Sequence, residues 1–383
     1  MKKAMILLCL SLLSTVTGGC WNLKEPNQLA IVIAGGLDAN KDGRLVVSSQ
    51  IAIPAGLNSQ STGASNNRSF VVVSALGKDF MDAGQNLQTQ LSRSLFYAHR
   101  QTILIGQRMA EQGLAKQGIR RYLDMIVRNP KSEIRSVIWV VKGGEAKDIL
   151  ATKPTFDPLI STALSSIQMS LGMKPYYFRE FLGDALKNGG AVLLPAVSGN
   201  SSGTKFNYSG AAVLNKENGL RLSGFLKPVE SYYANWITGR QKMFTITALQ
   251  SQGGSSISIR VKPLRNRIDI DKGPQGIRVH IRLRGSGDIV ENNTLLDPSS
   301  AKDLQTIQNR LSKEAEQRVA KLIDLAQKQY KVDFLGIGEL VHRKYPREWK
   351  SLQKNWNDTF ITLPITSEVR IRYQDPGQTN AAI

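Results

Sequence analysis

Residues 1–20 constrain this chain more than anything that follows them. Met1 precedes Lys2 and Lys3, then an apolar run from Ala4 to Leu13 broken only by Ser11, then Ser14, Thr15, Thr17, Gly18 and Gly19, and then Cys20. A positive start, a short apolar segment and a small-residue zone make residues 1–19 a secretory signal. The run falls well short of the roughly 20 residues a spanning helix needs, so it directs export and is expected to be removed. The chain holds two cysteines, Cys9 inside the signal and Cys20 just after it. Cleavage before Cys20 leaves one thiol, at the first residue, and a lone thiol in an exported protein cannot close an internal disulfide.

The context Val16-Thr17-Gly18-Gly19-Cys20 resembles a bacterial lipobox, with Thr17 where leucine is usual. That resemblance implies that Cys20 is the lipidation site and carries a diacylglycerol group. Two or three acyl chains, at about 0.8 kcal/mol per buried methylene, pass the two-signal threshold for stable anchoring. Charge agrees with a membrane address. Lys and Arg number 50 against 30 Asp and Glu, a net charge of +20; Lys2 and Lys3 leave with the signal and no acid does, so the mature chain carries +18. Such an excess favours an anionic partner, and a tethered body facing an anionic leaflet accounts for it. Nucleic acid is not expected, since the basic residues are dispersed and form no recognisable binding signature.

Beyond Cys20 the 383-residue chain, 41% hydrophobic and 21% charged, reads as an ordinary folded body of two or three domains. No later apolar run approaches spanning length. Ala30 to Gly36 and Leu45 to Ile53 read as a hairpin about the turn Asn40-Lys41-Asp42-Gly43. Pro54 to Ser69 reads as a polar loop, Phe70 to Leu76 as a strand, and Phe80, Ala83, Leu87 and Leu91 as one helix face. Thr102 to Ile105 and Ile134 to Val141 read as buried strands, Ala110 to Leu123 as helix, and Glu145 to Leu150 as the start of another. Gly199 to Thr204 has linker composition, so an N-terminal α+β region over 20–198, a linker at 199–208 and a C-terminal α+β domain over 209–383 are expected. In the last, Ala211 to Leu214, Leu220 to Gly224, Phe244 to Leu249, Ser256 to Leu264 and Ile277 to Gly285 read as strands.

The clearest periodicity is Leu304, Ile307, Leu311, Ala315, Val319, Leu322, Ala326 and Tyr330, the apolar stripe of one long helix. Asp297-Pro298-Ser299-Ser300 offers a side-chain cap and a first-turn proline for it. Lys302, Arg310, Lys313, Glu316, Arg318 and Lys321 form a mixed-sign, solvated opposite face. Ile361 to Tyr373 closes the chain as an alternating strand.

Catalytic chemistry finds little support. The three histidines, His99, His280 and His342, are remote from one another in sequence, and no Cys-His or His-x-x-x-His metal spacing exists. Gly199-Asn200-Ser201-Ser202-Gly203 satisfies G-x-S-x-G but sits in a polar linker without the strand and helix of a nucleophile elbow. Gly336-Ile337-Gly338 lacks the third glycine of a dinucleotide fingerprint and reads as a helix-capping turn. No catalytic residue, cofactor or metal is expected.

Several segments carry a family resemblance: Cys20-Trp21, Leu29-Ala30-Ile31-Val32, Gly36-Leu37-Asp38, His99, Ile103-Leu104-Ile105-Gly106, Ala110 to Leu114 and Ser209-Gly210-Ala211-Ala212-Val213. The strongest is Asp333-Phe334-Leu335-Gly336-Ile337-Gly338-Glu339, with His342-Arg343-Lys344-Tyr345-Pro346 and Trp349 through Trp356. Together they resemble the Ger(x)C family, the lipoprotein C subunits of spore germinant receptors, across nearly the whole mature chain. Leu23-Lys24-Glu25-Pro26 departs from the family's more arginine-rich turn. The resemblance implies an elongated α+β assembly of three domains, the last with a sheet curved around a long helix. It also implies a non-enzymatic membrane lipoprotein of the spore inner membrane that works with A and B subunits in nutrient-triggered germination. Residue chemistry alone gives the C-terminal signature a packing role, with Pro346 setting a turn and the aromatic residues filling a core. The alternative function is a substrate-binding lipoprotein of a transporter, which should show a doubly wound α/β pattern; a spore-envelope hydrolase ranks third.

Overall fold

The computed structural model describes residues 25–54, 69–112, 119, 127–128, 133–187, 189–200, 205–249, 254–274 and 276–375. Its framework is two mixed sheets with helices on their faces, an α+β fold. The first sheet runs in the order β3-β2-β1-β5-β6-β7-β8-β9, with β4 beside β1. The strands are β1 (Leu29–Ala39), β2 (Leu45–Ala52), β3 (Phe70–Gly77), β4 (Ser94–Phe96), β5 (Thr102–Ile105), β6 (Val137–Val141), β7 (Ala191–Gly199), β8 (Phe206–Asn215) and β9 (Arg221–Leu226). The β1–β2 hairpin turns where expected, with Asn40 Oδ1 accepting from the Arg44 amide at 2.8 Å and Gly43 at φ +76°.

Alternation along β6 explains its unbroken apolar sequence. Val137, Trp139 and Val141 face a core formed with α3 (Ala146–Ala151) and α4 (Ile160–Ser170). Ile138 and Val140 face a second core formed with α1 (Phe80–Gln88), α2 (Gln107–Gln112) and α5 (Phe178–Leu186). A strand covered on both faces has no polar side to display. The interior strands β1, β5, β6 and β7 are parallel neighbours, but antiparallel hairpins flank them on both sides. That mixed order is not the doubly wound pattern of the transporter alternative.

The second sheet, β10-β11-β12-β13, comprises β10 (Phe244–Leu249), β11 (Ser256–Gly273), β12 (Gly276–Asn292) and β13 (Ile365–Asp375). One face packs on the long helix α7 (Ala301–Asp324) and on α6 (Pro228–Ile237). Ile307, Leu311, Ala315, Val319, Leu322 and Ala326 are buried there, as their spacing predicts. Arg310 is half-buried rather than solvated, because it adjoins Leu311 at the border of the stripe. The expected cap also differs. Ser300 is the cap residue without a side-chain bond, Pro298 lies ahead of the helix, and Asp297 instead accepts from the Ser299 amide and hydroxyl.

Other departures follow from burial and pleat. The strands on either side of the segment with linker composition, β7 ending at Gly199 and β8 beginning at Phe206, pair antiparallel. Strand β8 belongs to two cores at once, with Ala211 and Val213 in that of the second sheet and Ala212 and Leu214 in that of the first. Strands β11 and β12 run further than their apolar ends suggest, because one face is charged and solvated. Strand β6 starts at Val137 rather than Ile134, α2 starts at Gln107, and Ile361 belongs to a helix, with β13 starting at Ile365. Residues 1–24, most of the 54–69 loop, most of 110–123 and residues 201–204 lie outside the described set. Among the described residues, no helix is long and apolar enough to cross a membrane.

Candidate functional site at the junction of the sheets

The strongest sequence signature builds the joint between the two halves. Helix α7 ends in a wider turn, Leu325–Gln329, where the Tyr330 amide donates to the Leu325 carbonyl at 2.8 Å. Lys331 then takes a left-handed φ of +52° and reverses the chain. This delivers Asp333 into the interior, 1% exposed. Its Oδ1 accepts from the amides of Leu335 at 3.0 Å and Ile337 at 3.2 Å. Its Oδ2 accepts from the Gly338 amide at 2.7 Å and from the Trp356 indole Nε1 at 3.0 Å. Four donors on one carboxylate meet the requirement that a buried charge be fully bonded.

Two glycines make that geometry possible. Gly336, at φ +78°, is the cap residue of α8 (Ile337–Lys344). At Gly338 a β-carbon would lie 2.7 Å from the Trp356 Nε1 and 3.0 Å from the Gly189 Cα, so only glycine fits. The Asp333 carbonyl accepts from the Ala191 amide at 2.9 Å, which ties the start of β7 to the same knot.

The aromatic residues of the signature continue outward from it. Trp356 and Phe360 of α10 (Trp356–Thr362) lie 6.4 Å apart, Trp356 and Trp349 5.1 Å, and Trp349 and His342 5.7 Å between ring centres. Pro346 occupies the first turn of α9 (Pro346–Leu352), where its missing amide costs nothing. Lys344 donates to the Ile270 carbonyl of β11. The packing role expected of this stretch is the one its geometry performs.

An open groove of about 460 Å³ flanks the knot. Its charged lining is Asp184, Lys187, Lys216, Arg240, Arg267, Glu339 and Arg343. Asp184 is engaged by Arg240, by Lys187 at 2.9 Å and by the Tyr176 hydroxyl at 2.6 Å. Burial alone would raise the Asp184 carboxyl, but Arg240 and the bonds from Tyr176 and Lys187 outweigh it and hold the group below the usual carboxylate range. Burial pulls the Lys216 ammonium below the usual lysine range, against the opposing pull of Asp184, Asp333 and Glu339. The lining can recognise charge of either sign; it presents no paired nucleophile and base.

The histidines do not converge. His99 is exposed and lies edge-on to Phe96 at 5.5 Å, His280 on β12 meets Thr366 Oγ1 at 2.8 Å, and His342 stacks in α8. Among the described residues no group of three or more His, Cys, Asp or Glu could hold a metal. Ser201, Ser202 and the expected lipidation site Cys20 lie outside the described residues.

Sequence reasoning passed over a second buried carboxylate, Asp38, 2% exposed at the end of β1. It accepts from the amides of Ala146 at 2.7 Å and Lys147 at 3.1 Å, capping α3 from another strand. Burial, against these two bonds, pushes its carboxyl up to about 6. The signal was present in Gly36-Leu37-Asp38, an acid at the end of an apolar strand.

A family model described as "Spore germination protein N-terminal domain" matches residues 22–198, and one described as "Spore germination B3/ GerAC like, C-terminal" matches residues 209–377. The chain is 25% identical over 396 residues to spore germination protein YndF of Bacillus subtilis (strain 168), covering 96% of this chain and 95% of that one. It is 24% identical over 409 residues to spore germination protein KC of the same organism, with 100% and 98% covered. The crystal structure of the GerBC protein is similar with a TM-score of 0.57 at 18% identity, over 90% of this chain and 98% of that one.

Proposed function

The chain belongs to the Ger(x)C family of spore germination proteins, matched by both its N-terminal and its C-terminal models, and from that premise we propose that it is the lipid-anchored C subunit of a nutrient-germinant receptor. The observation that carries this reading is the pair of matches at 22–198 and 209–377, which together span nearly all of the chain after Cys20. In this role the protein acts through surface shape and charge, in assembly or signalling with A and B subunits at the spore inner membrane, and not through a reactive group. Removal of residues 1–19 leaves Cys20 to carry diacylglycerol on the outer face of the membrane. The division into units 20–198 and 209–383 belongs to the same proposal, with the β7–β8 hairpin joining them.

Two experiments test it. Labelled palmitate should enter the wild-type protein and not Cys20→Ala, and equal incorporation would remove the anchor from the proposal. Spores lacking the gene should lose their response to some nutrients and still germinate by receptor-independent triggers; an unchanged nutrient response in a strain without a second copy would remove the receptor role.

A further inference from the structure

On the outer face of the second sheet one opposed pair of arginines is neutralised in the ordinary way. Arg267 and Arg282, directly opposite each other on β11 and β12, both reach Asp269. Two residues along the strands the arrangement changes. Arg265, Arg284 and Arg370 are directly opposite one another on β11, β12 and β13, so cations occupy all three positions of one cross-strand row. Adjacent strands lie about 4.8 Å apart, and like charges directly opposite each other destabilise a sheet. In the next row Arg372 stands opposite Ser286.

Arg370 pairs with Glu368 at 2.5 Å. Among the described residues no carboxylate lies within ion-pair distance of Arg265, Arg284 or Arg372. All four arginines are exposed, and they line an open groove of about 420 Å³ with Pro263 and Ser286. The irregular pairing of β11 between Val261 and Leu264 puts Pro263 at its side, and a bulge of this kind re-aims neighbouring side chains. Gly285 backs the groove with bare backbone, because a β-carbon there would point into the core, against a Val261 methyl.

We infer that this row is a binding site for a phosphate group, seated between the guanidinium groups of Arg265, Arg284 and Arg370 with Arg372 at its edge. The planar forks of arginine pair bidentately with phosphate oxygens, and such an anion relieves the repulsion that the row otherwise carries. A free phosphate or phosphomonoester and a phospholipid headgroup present the same chemistry, and the two are separated by experiment.

The full-length chain is prepared in the Cys20→Ala background, with Arg265→Gln/Arg284→Gln, Arg284→Lys and, as a control on the exposed side of α7, Lys313→Gln. Inorganic phosphate is titrated by calorimetry. Co-sedimentation is measured with vesicles of phosphatidylglycerol and phosphatidylcholine against phosphatidylcholine alone. Residues 1–19 are common to all variants, so only differences among them are read, with matching urea midpoints confirming that each is folded. The double variant should bind at least tenfold more weakly in one arm or both, and Arg284→Lys several-fold more weakly although its charge is kept. A loss confined to the phosphate arm assigns a free ligand, and a loss in the vesicle arm assigns a headgroup. Binding unchanged by the double variant in both arms, full binding by Arg284→Lys, or an equal loss in Lys313→Gln overturns the site.

Discussion

Asp333 shows how much one carboxylate can organise. Its four donors come from three amides within five residues and from an indole twenty-three residues on, so the side chain fixes the start of α8 and the position of α10 together. Asp333→Ala leaves those donors in a dry interior at about 1–3 kcal/mol each where water cannot reach them. A loss of at least about 3 kcal/mol is expected in urea unfolding, and a loss under 1 kcal/mol would show that the knot is not what holds the junction. Asp38 makes a pH-dependent contribution. Its carboxyl is raised from 3.8 to about 6, so below pH about 4 the folded and unfolded chains both hold the proton, whereas between about 4 and 6 only the folded chain does. Stability contributed by this group therefore falls as pH rises through that window, by up to about 3 kcal/mol. Measured against Asp38→Asn, which does not titrate, wild-type stability should decline from pH 4 to pH 7; a difference that does not vary with pH would contradict it. Both acids stood in the segments that carry the family resemblance, but their partners could not be read there. A bond to a distant amide or indole leaves no local pattern, whereas Gly336 does, because a helix cap needing positive φ favours glycine nearby.

At the scale of elements, legibility followed solvent. Helix α7 was readable because water covers one side of it and leaves a strict stripe, and strand β6 because an apolar run of its length suits burial on both faces. Helices α4 and α6 and strand β7 escaped because their apolar periods are weak, and α5 because its nine residues give too few turns to read. The outer halves of β11 and β12 escaped for the opposite reason, since Arg265-Asn266-Arg267 reads as loop until the inward Ile268 and Ile270 are noticed. The stripe on α7 yields a direct test. Leu311 is fully buried and Leu322 1% exposed, so each Leu→Ala change should cost about 2–5 kcal/mol through lost burial and a residual cavity. Lys313→Ala, on the exposed side, should stay within about 0.5 kcal/mol. Urea midpoints that ranked Lys313→Ala with Leu311→Ala would mean that the buried face is wrongly assigned.

At the scale of the whole molecule, two separate sheets meet through a core to which strand β8 of the first also contributes. The pairing of β7 with β8 on either side of the polar, glycine-rich segment was not legible, because composition carries no record of which strands pair. Because β8 places alternate residues in the two cores, the halves form a continuous body. What that body presents outward is charge: the mixed-charge groove beside the knot and the arginine row on the second sheet. The most direct test of the receptor role is to isolate the tagged full-length protein from spore inner membranes with mild detergent and identify what accompanies it by mass spectrometry. Germinant-receptor A and B subunits should co-purify in near-stoichiometric amounts, and should be lost when a strain lacks either partner. A preparation that instead brings down transporter components, or that contains neither receptor subunit while the protein itself is intact and abundant, would contradict the account.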